Sequence, residues 1–388
     1  MIHVCYGLYD RDGHYSKFVG TSVVSIFENT SERVTVHILH DNTLTIDNRD
    51  KFVYLAGQYG QRIKFYNVER LADKQLELIK NDMPDEVKAK FTIGSMYRLL
   101  APIIIPDWID KIIYLDADII VNLDIKEMWR VDVSARPMAV VSEKLIHAAI
   151  YSQPQKYLID NGIVKAEDYF NSGVLLINLD YLRAHADIIN EGYRFVCEHP
   201  ECDAFDQDIL NYCFAADSVK LDLKFDTFVI VERMTNESPA IKRAVYHYTS
   251  DTIKLNPNDA LNRLYFEYFV KTPWFNVDIV WNIMQTFENS NRNHQSALLN
   301  MANALGKRQR IFLASKNNFG LIKNLFEITN DEIIIDAADD NAIERLSSLM
   351  INEGGWKGNT KYCLHSSIII WGSKIFWSNR ISSKELIS

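Results

Sequence analysis

The sequence predicts an α/β layered fold over residues 1–255, and three observations predict it. Short apolar runs rich in β-branched residues alternate with segments whose apolar residues recur at helical spacing. Acidic or proline punctuation stands where those helical segments should begin or end. The run Lys-Ile-Ile-Tyr-Leu-Asp-Ala-Asp-Ile-Ile-Val, residues 111–121, is apolar on both faces, as a central strand must be.

The elements follow in order. Ile2–Tyr6 opens the chain as a strand, and Tyr15–Glu28 follows as a helix. Val34–Leu39 and Arg62–Tyr66 are the next strands. Ser95–Ala101 reads as a helix stopped by Pro102, because proline lacks the backbone donor and its ring crowds the preceding turn. Lys111–Leu115, Met138–Val141 and Gly173–Asn178 are further strands. Gln207–Phe214 reads as a helix introduced by the acid-bearing Asp203–Asp206, since acids complement the positive end of the helix dipole.

The character changes near residue 256, where Asn256-Pro257-Asn258-Asp259 marks a turn or helix start. Residues 256–305 read as a helical extension rich in aromatics, among them Tyr265, Tyr268, Trp274 and Trp281, with a loop at Asn289–Asn293. Those rings read first as core packing and second as a carbohydrate platform. Residues 306–388 then form a small α/β unit. Its strands are Arg310–Ala314, Glu332–Ile335 and Cys363–Ile370, and its helices Leu321–Leu325 and Ala342–Met350.

Composition removes several classes of function. The 388 residues carry a net charge of −9, concentrated in residues 1–255, so no nucleic-acid footprint is expected. Hydrophobic residues make up 47% and charged residues 24%, the balance of a globular chain with room for a large core. No apolar run reaches the roughly 18–20 residues of a membrane span, and no secretory signal is expected from Met-Ile-His-Val-Cys-Tyr-Gly, which lacks a basic stretch and a long apolar run. Cys5, Cys197, Cys202, Cys213 and Cys363 are scattered and odd in number. They read as free thiols, and a cytoplasmic location is expected.

Asp116 and Asp118 are the feature from which a chemistry can be argued. Two carboxylates one residue apart in an apolar run repel each other and resist burial unless a positive charge joins them. A divalent cation satisfies both needs, while the plain alternative is a strand end at which both acids reach water. Four other features belong beside them. Asn171, Ser172 and Gly173 stand just before a buried strand, and Asp206-Gln207-Asp208 heads a helix. His247 closes a strand in Tyr-His-Tyr-Thr-Ser-Asp, and Arg98 lies on a helix shortly before the acid pair.

In order and surroundings these motifs resemble glycosyltransferase family 8. They are Tyr15 to Ser25, Tyr97-Arg98-Leu99-Leu100, Tyr114-Leu115-Asp116-Ala117-Asp118, Phe170-Asn171-Ser172-Gly173, Asp206-Gln207-Asp208 and His247-Tyr248-Thr249. The resemblance covers about two thirds of the chain. It implies a GT-A fold, a mixed nucleotide-sugar-binding sheet flanked by helices, and a retaining, metal-dependent transfer of a hexose. The implied donor is UDP-galactose or UDP-glucose, and the implied acceptor a glycan or glycoprotein hydroxyl.

Residue roles are implied in the same way. Asp116, Asp118 and His247 would hold Mn²⁺ or Mg²⁺, a donor set of carboxylate and imidazole that suits Mn²⁺ at least as well. Asp12 and Tyr15 would line the uridine pocket, with Asp10 the alternative to Asp12. Ala117 would lie against the nucleotide. Arg98, Asn171 and Asp206 would hold the donor sugar. Asp206 and Gln207 are the catalytic candidates, with Gln207 facing the anomeric carbon opposite the leaving group. A neutral amide is a poor nucleophile, so the resemblance together with this residue favours same-face attack by the acceptor over a covalent intermediate.

Two stretches depart from the family pattern. After His247, Ser250 stands where a glycine is usual, Lys254 falls one residue late and Pro-Trp is missing. Lys254 is still the candidate for the diphosphate contact. The loop before Tyr15 also looks longer than usual. Two other readings compete: a metal-dependent nucleotidyltransferase, disfavoured by the missing P-loop, and a non-catalytic sugar-nucleotide-binding scaffold. Residues 256–388 could complete the acceptor site, bind a partner transferase or mediate self-association.

Overall fold

The computed structural model describes residues 1–276 except 84, 86–87, 89–91, 151–153, 237–238 and 250–258. Beyond these it describes residues 278, 285 and 289 and the backbone of five short strands. Contacts divide the chain into two compact units, Met1–Asn276 and Val277–Ser388.

The first unit is built on a seven-stranded mixed sheet in the order β3-β2-β1-β4-β7-β6-β8. The strands are β1 (Ile2–Leu8), β2 (Val34–His40), β3 (Arg62–Asn67), β4 (Lys111–Leu115), β6 (Met138–Ser142), β7 (Phe170–Asn178) and β8 (Val219–Lys220). A second sheet has the order β5-β10-β9, with β5 at Ile119–Val121, β9 at Thr227–Phe228 and β10 at Val245–His247. β1, β2, β3 and β4 run parallel, and β7 is antiparallel to both β4 and β6. The chain winds outward from β1 to β3, then returns to lay β4 on the other side of β1. That reversal opens a crevice at the carboxyl ends of β1 and β4, the usual ligand position in such sheets.

The apolar runs form these strands because both faces are covered. Every residue of β2 except His40 is buried, as are Ile112 to Leu115 of β4. The helix Ser16–Asn29 covers one face and buries Val19, Val23, Val24 and Ile26. Met96, Tyr97, Leu100 and Ala101 join a core cluster on the other face with Ile112, Leu175 and Phe205.

Several expectations need correction. Residues 111–121 are not one strand: β4 ends at Leu115, and β5 begins at Ile119 in the other sheet. The acid pair sits in the turn between them, where both side chains are half-buried. Pro102 does not stop its helix, which spans Tyr97–Ile104. Burial of Ile104 and Ile105, and the bond from Ile105 N–H to Ala101 O at 3.0 Å, carry the last turn past the missing donor. Asn171, Ser172 and Gly173 lie within β7 rather than before it. The strand is longer because Phe170 pairs with Ser142 across a register shift in β6, and because Asp116 N–H bonds Gly173 O at 2.8 Å. The helix expected from Gln207 begins at Phe205, which puts Asp206 and Gln207 in its first turn.

The segment after residue 256 contributes the helix Ala260–Phe269 to the first unit, capped by the Asp259 carboxylate on the Leu261 and Asn262 amides. Tyr268 Oη donates to Asn122 Oδ1 at 3.0 Å and accepts from Asn29 Nδ2 at 2.7 Å. Tyr248 Oη donates to Leu261 O. This helix therefore braces the strands β5 and β10 that carry Asp118 and His247 at their ends. Trp281 and the loop at Asn289–Asn293 lie outside the described side chains, Asn289 apart.

In the second unit, Ile311–Ala314 and Ile333–Asp336 pair in parallel. Cys363–Leu364, Ile368–Trp371 and Lys374–Trp377 form an antiparallel meander, so the expected strand Cys363–Ile370 is two strands of a hairpin. The expected helices Leu321–Leu325 and Ala342–Met350 lie outside the described residues. No helix among the described residues is long and apolar enough to cross a membrane.

Candidate active site

Two chain segments converge at the carboxyl end of β4. The turn after β4 supplies Asp116 and Asp118, and the end of β10 supplies His247. Tyr248 N–H bonds Asp118 O at 2.8 Å, which pins the two segments side by side. One ligand atom from each of Asp116, Asp118 and His247 lies within 4.8 Å of the others.

Gly173 shows that this space is kept open. A Cβ on Gly173 would fall 2.4 Å from His247 Cε1 and 2.9 Å from Asp116 Oδ2. The donor set of two carboxylates and one imidazole, open on one side to the cleft, fits a Mn²⁺-type cation. Gly173→Ala is therefore expected to weaken Mn²⁺ binding by about 5- to 150-fold, because the cradle must open by overpacking worth about 1–3 kcal/mol. Mn²⁺ titration of the folded variant checks this; wild-type affinity would show that the cradle is not needed.

Arg98 organises the acids. Its side chain is only 3% exposed. Nη2 donates to Asp116 Oδ1 at 2.7 Å, Nε approaches Asp206 Oδ2 at 2.9 Å, and Nη1 donates to Ser172 Oγ at 2.9 Å and to Ser172 O. The guanidinium also lies over the Tyr114 ring, 4.7 Å from its centroid. Asp116 thus spends Oδ1 on arginine and leaves Oδ2 toward Gly173 and His247.

The electrostatics match this arrangement. Burial pushes the Asp116 carboxyl above its ordinary range; Arg98 opposes that shift and Asp118 adds to it. Burial raises Asp206 as well, again against Arg98. At His247 burial alone would favour the neutral ring, but Asp118 and Asp226 together raise it well above its ordinary value. The cluster is built to hold positive charge.

Gln207 forms part of the floor. Its Oε1 accepts from Asn171 Nδ2 at 3.1 Å and from Ser172 N–H at 3.0 Å. Its Nε2 donates to Glu143 Oε1 at 2.9 Å and to Tyr169 Oη at 3.1 Å. Both protons and both oxygen lone pairs of the amide are engaged. Asp208 is structural: it accepts from Tyr169 Oη at 2.6 Å and from Ala204 N–H at 3.0 Å, which caps its own helix.

The cleft has a volume of about 370 Å³, within the range of small-molecule sites. Arg98, Asp116, Ala117 and Asp118 line it, and so do Asn171, Asp206, Gln207 and His247. Tyr15 lies at its edge with 43% of its surface exposed. Asp12 is exposed in the preceding turn and is not among the lining residues. Asp10 is buried and spent on that turn: its carboxylate accepts from the Tyr15 and Ser16 amides, the Ser16 hydroxyl and Asn48 Nδ2. Lys254 lies outside the described residues.

Two residues that the sequence did not single out touch the site through others. Glu143 holds Gln207, and Asp226 holds His247 Nδ1 at 3.0 Å. Neither sits in a motif near its partner, so only the tertiary pairing reveals them.

A mixed sheet with an acid pair at the carboxyl end of β4, facing a crevice, fits the GT-A architecture of glycosyltransferases. The chain belongs to glycosyl transferase family 8, whose model matches residues 8–255. It is 25% identical over 283 residues to General stress protein A of Bacillus subtilis (strain 168), covering 68% of this chain and 92% of that protein. It is 29% identical over 256 residues to the lipopolysaccharide glucosyltransferase WaaO of Escherichia coli (strain K12), covering 63% and 70%. Among solved structures, the galactosyltransferase LgtC in complex with donor and acceptor sugar analogs matches with a TM-score of 0.56 and 20% identity, over 71% of this chain and 98% of that one. The bifunctional glycosyltransferase WbbM matches with a TM-score of 0.52 and 16% identity, over 70% and 50%. At these identities the structural likeness shows the fold. The family places the chain among the glycosyltransferases.

Proposed function

We propose that the protein is a metal-dependent, retaining hexosyltransferase. It moves galactose or glucose from UDP-galactose or UDP-glucose to a hydroxyl of a glycan or glycoprotein acceptor. The observation that carries this reading is the convergence of Asp116, Asp118 and His247 beside the Arg98–Asp206 pair in one cleft. The relatives support the hexose: WaaO is a lipopolysaccharide glucosyltransferase, and a lipopolysaccharide 1,3-galactosyltransferase of Salmonella typhimurium is 25% identical over 230 residues.

Asp116 Oδ2, an Asp118 oxygen and His247 Nε2 would hold Mn²⁺ or Mg²⁺. When bound, the cation supplies Lewis-acid stabilisation of the charge that develops on the departing diphosphate. The remaining work falls to the chain. The Tyr15 ring offers a face for uracil, and Asp12, exposed in the turn before it, is the proposed second uridine contact. Ala117, small and between the acids, lets the nucleotide approach the backbone. Asp206 and Asn171 present oxygen and nitrogen atoms to the hydroxyls of the donor sugar, and Arg98 fixes Asp206 in place. Lys254 is the proposed cation on the far side of the diphosphate.

Gln207 bears on stereochemistry. A nucleophile needs a free lone pair of high energy, and the Gln207 amide oxygen already accepts two hydrogen bonds. That supports same-face attack by the acceptor through an oxocarbenium-like transition state, with Gln207 shaping the floor beneath the sugar. The free thiols Cys5, Cys197, Cys202 and Cys213 go with a cytoplasmic location.

The test is a donor screen. The protein is incubated with UDP-galactose, UDP-glucose and other UDP-sugars plus Mn²⁺, and UDP and free sugar are assayed. Slow release from one hexose donor, stopped by EDTA and restored by added Mn²⁺, is the expected result. No UDP from any donor, with nucleotide binding retained, would favour a non-catalytic scaffold instead.

A further inference from the structure

Asp226 has the chemistry of a working group but does not line the cleft. It is completely buried and ends the short turn Leu223–Phe225 just before β9. β9 runs parallel to β10 with Phe228 opposite His247, which lays the Asp226 carboxylate against one edge of the imidazole. Oδ1 lies 3.0 Å from His247 Nδ1. Oδ2 has no hydrogen-bond partner among the described residues.

A buried carboxylate oxygen without a partner is costly. The fold accepts that cost and directs the group at a single atom, Nδ1 of His247. On the opposite edge of the ring, Nε2 faces Asp118 Oδ1 at 3.4 Å, on the cleft side. The Phe228 ring stands edge-on to the imidazole, with centroids 4.8 Å apart and planes at 75°, so the histidine cannot swing away from either acid.

We propose that Asp226 is the positioning residue for the metal-ligand role of His247. By accepting the Nδ1 proton it fixes the tautomer whose Nε2 lone pair faces the cleft. It also fixes the plane of the ring and adds negative charge that makes Nε2 a stronger donor. This assignment rests on the metal reading above and goes beyond it, because it names what makes the histidine a ligand rather than a buried ring. An asparagine here would still offer an acceptor oxygen but no charge, and an alanine would offer neither.

Mn²⁺ binding to the full chain is measured by electron paramagnetic resonance of free Mn²⁺ and by calorimetry. Wild type, Asp118→Ala, Asp226→Asn and Asp226→Ala are compared, with thermal melts recorded in EDTA. Asp226→Asn is expected to raise the Mn²⁺ dissociation constant about tenfold and Asp226→Ala by about 10- to 100-fold, in that order, in protein that melts close to wild type in EDTA. A purely structural Asp226 would shift the melts and leave the affinity alone. If Asp226→Ala does not fold, the near-isosteric Asp226→Asn decides. Affinity within twofold of wild type in Asp226→Asn, with binding abolished by Asp118→Ala, would overturn the assignment and leave the metal reading standing. Wild-type protein that binds no Mn²⁺ would overturn both.

Discussion

Asp118→Ala is expected to lower Mn²⁺-supported UDP release by roughly 10²- to 10⁴-fold. Stabilisation of the leaving diphosphate by a bound cation is worth several kcal/mol, and each 1.36 kcal/mol is about tenfold in rate. The fold should survive the change, because Asp118 occupies a turn between two sheets and 31% of its side chain reaches the cleft. The backbone bond from Tyr248 N–H to Asp118 O is untouched by the substitution. Initial rates of UDP release, with circular dichroism as a control for folding, measure this. A folded variant releasing UDP at the wild-type rate would remove Asp118 from the chemistry.

The second large effect is on stability. Arg98 is buried and joins Asp116, Asp206 and Ser172 in one network. Removing one member of such a network leaves the opposite charges buried and unpaired, which costs about 3–5 kcal/mol. Here the cost falls on Asp206 above all, since it is almost fully enclosed. For a unit of this size each kcal/mol shifts the midpoint by about 2–4 °C, so Arg98→Ala should melt about 10 °C below wild type. Lysine should not rescue it, because a single ammonium cannot reach two carboxylates and a serine hydroxyl in the plane of a guanidinium fork. A variant melting within about 2 °C of wild type would show that the network is held by other contacts.

Much of the architecture was legible because it depends on local pattern. β-Branched apolar runs located six strands of the main sheet, and Lys111–Leu115 is β4 as read. What was missed depends on pairing at a distance. Nothing in the run 111–121 says that its two halves belong to different sheets; that follows from β10 pairing with β5. The early start of β7 depends on a register shift in β6. Pro102 is tolerated because Ile104 and Ile105 beyond it are buried, a tertiary effect that overrides its local cost.

The candidate site divides along the same line. Asp116 and Asp118 stood out as acids in an apolar run, whereas Arg98, Asn171, Asp206, Gln207 and His247 took their roles from the family resemblance of their motifs; the fold brings all seven to one cleft. Asp226 and Glu143 carry no such mark. Asp226 precedes a strand of only two residues, and its meaning comes from the pairing of that strand with β10. Asp12 and Asp10 show the reverse case. The sequence offered both for one role, and the structure spends Asp10 on capping the turn before Ser16.

The most direct measurement is the proton NMR spectrum of the sugar first released from the α-linked donor, UDP-galactose or UDP-glucose, with Mn²⁺ and with EDTA. The α-anomer is expected first, before mutarotation, and only in the presence of Mn²⁺. The β-anomer first, or equal release in EDTA, would contradict a retaining, metal-dependent transfer.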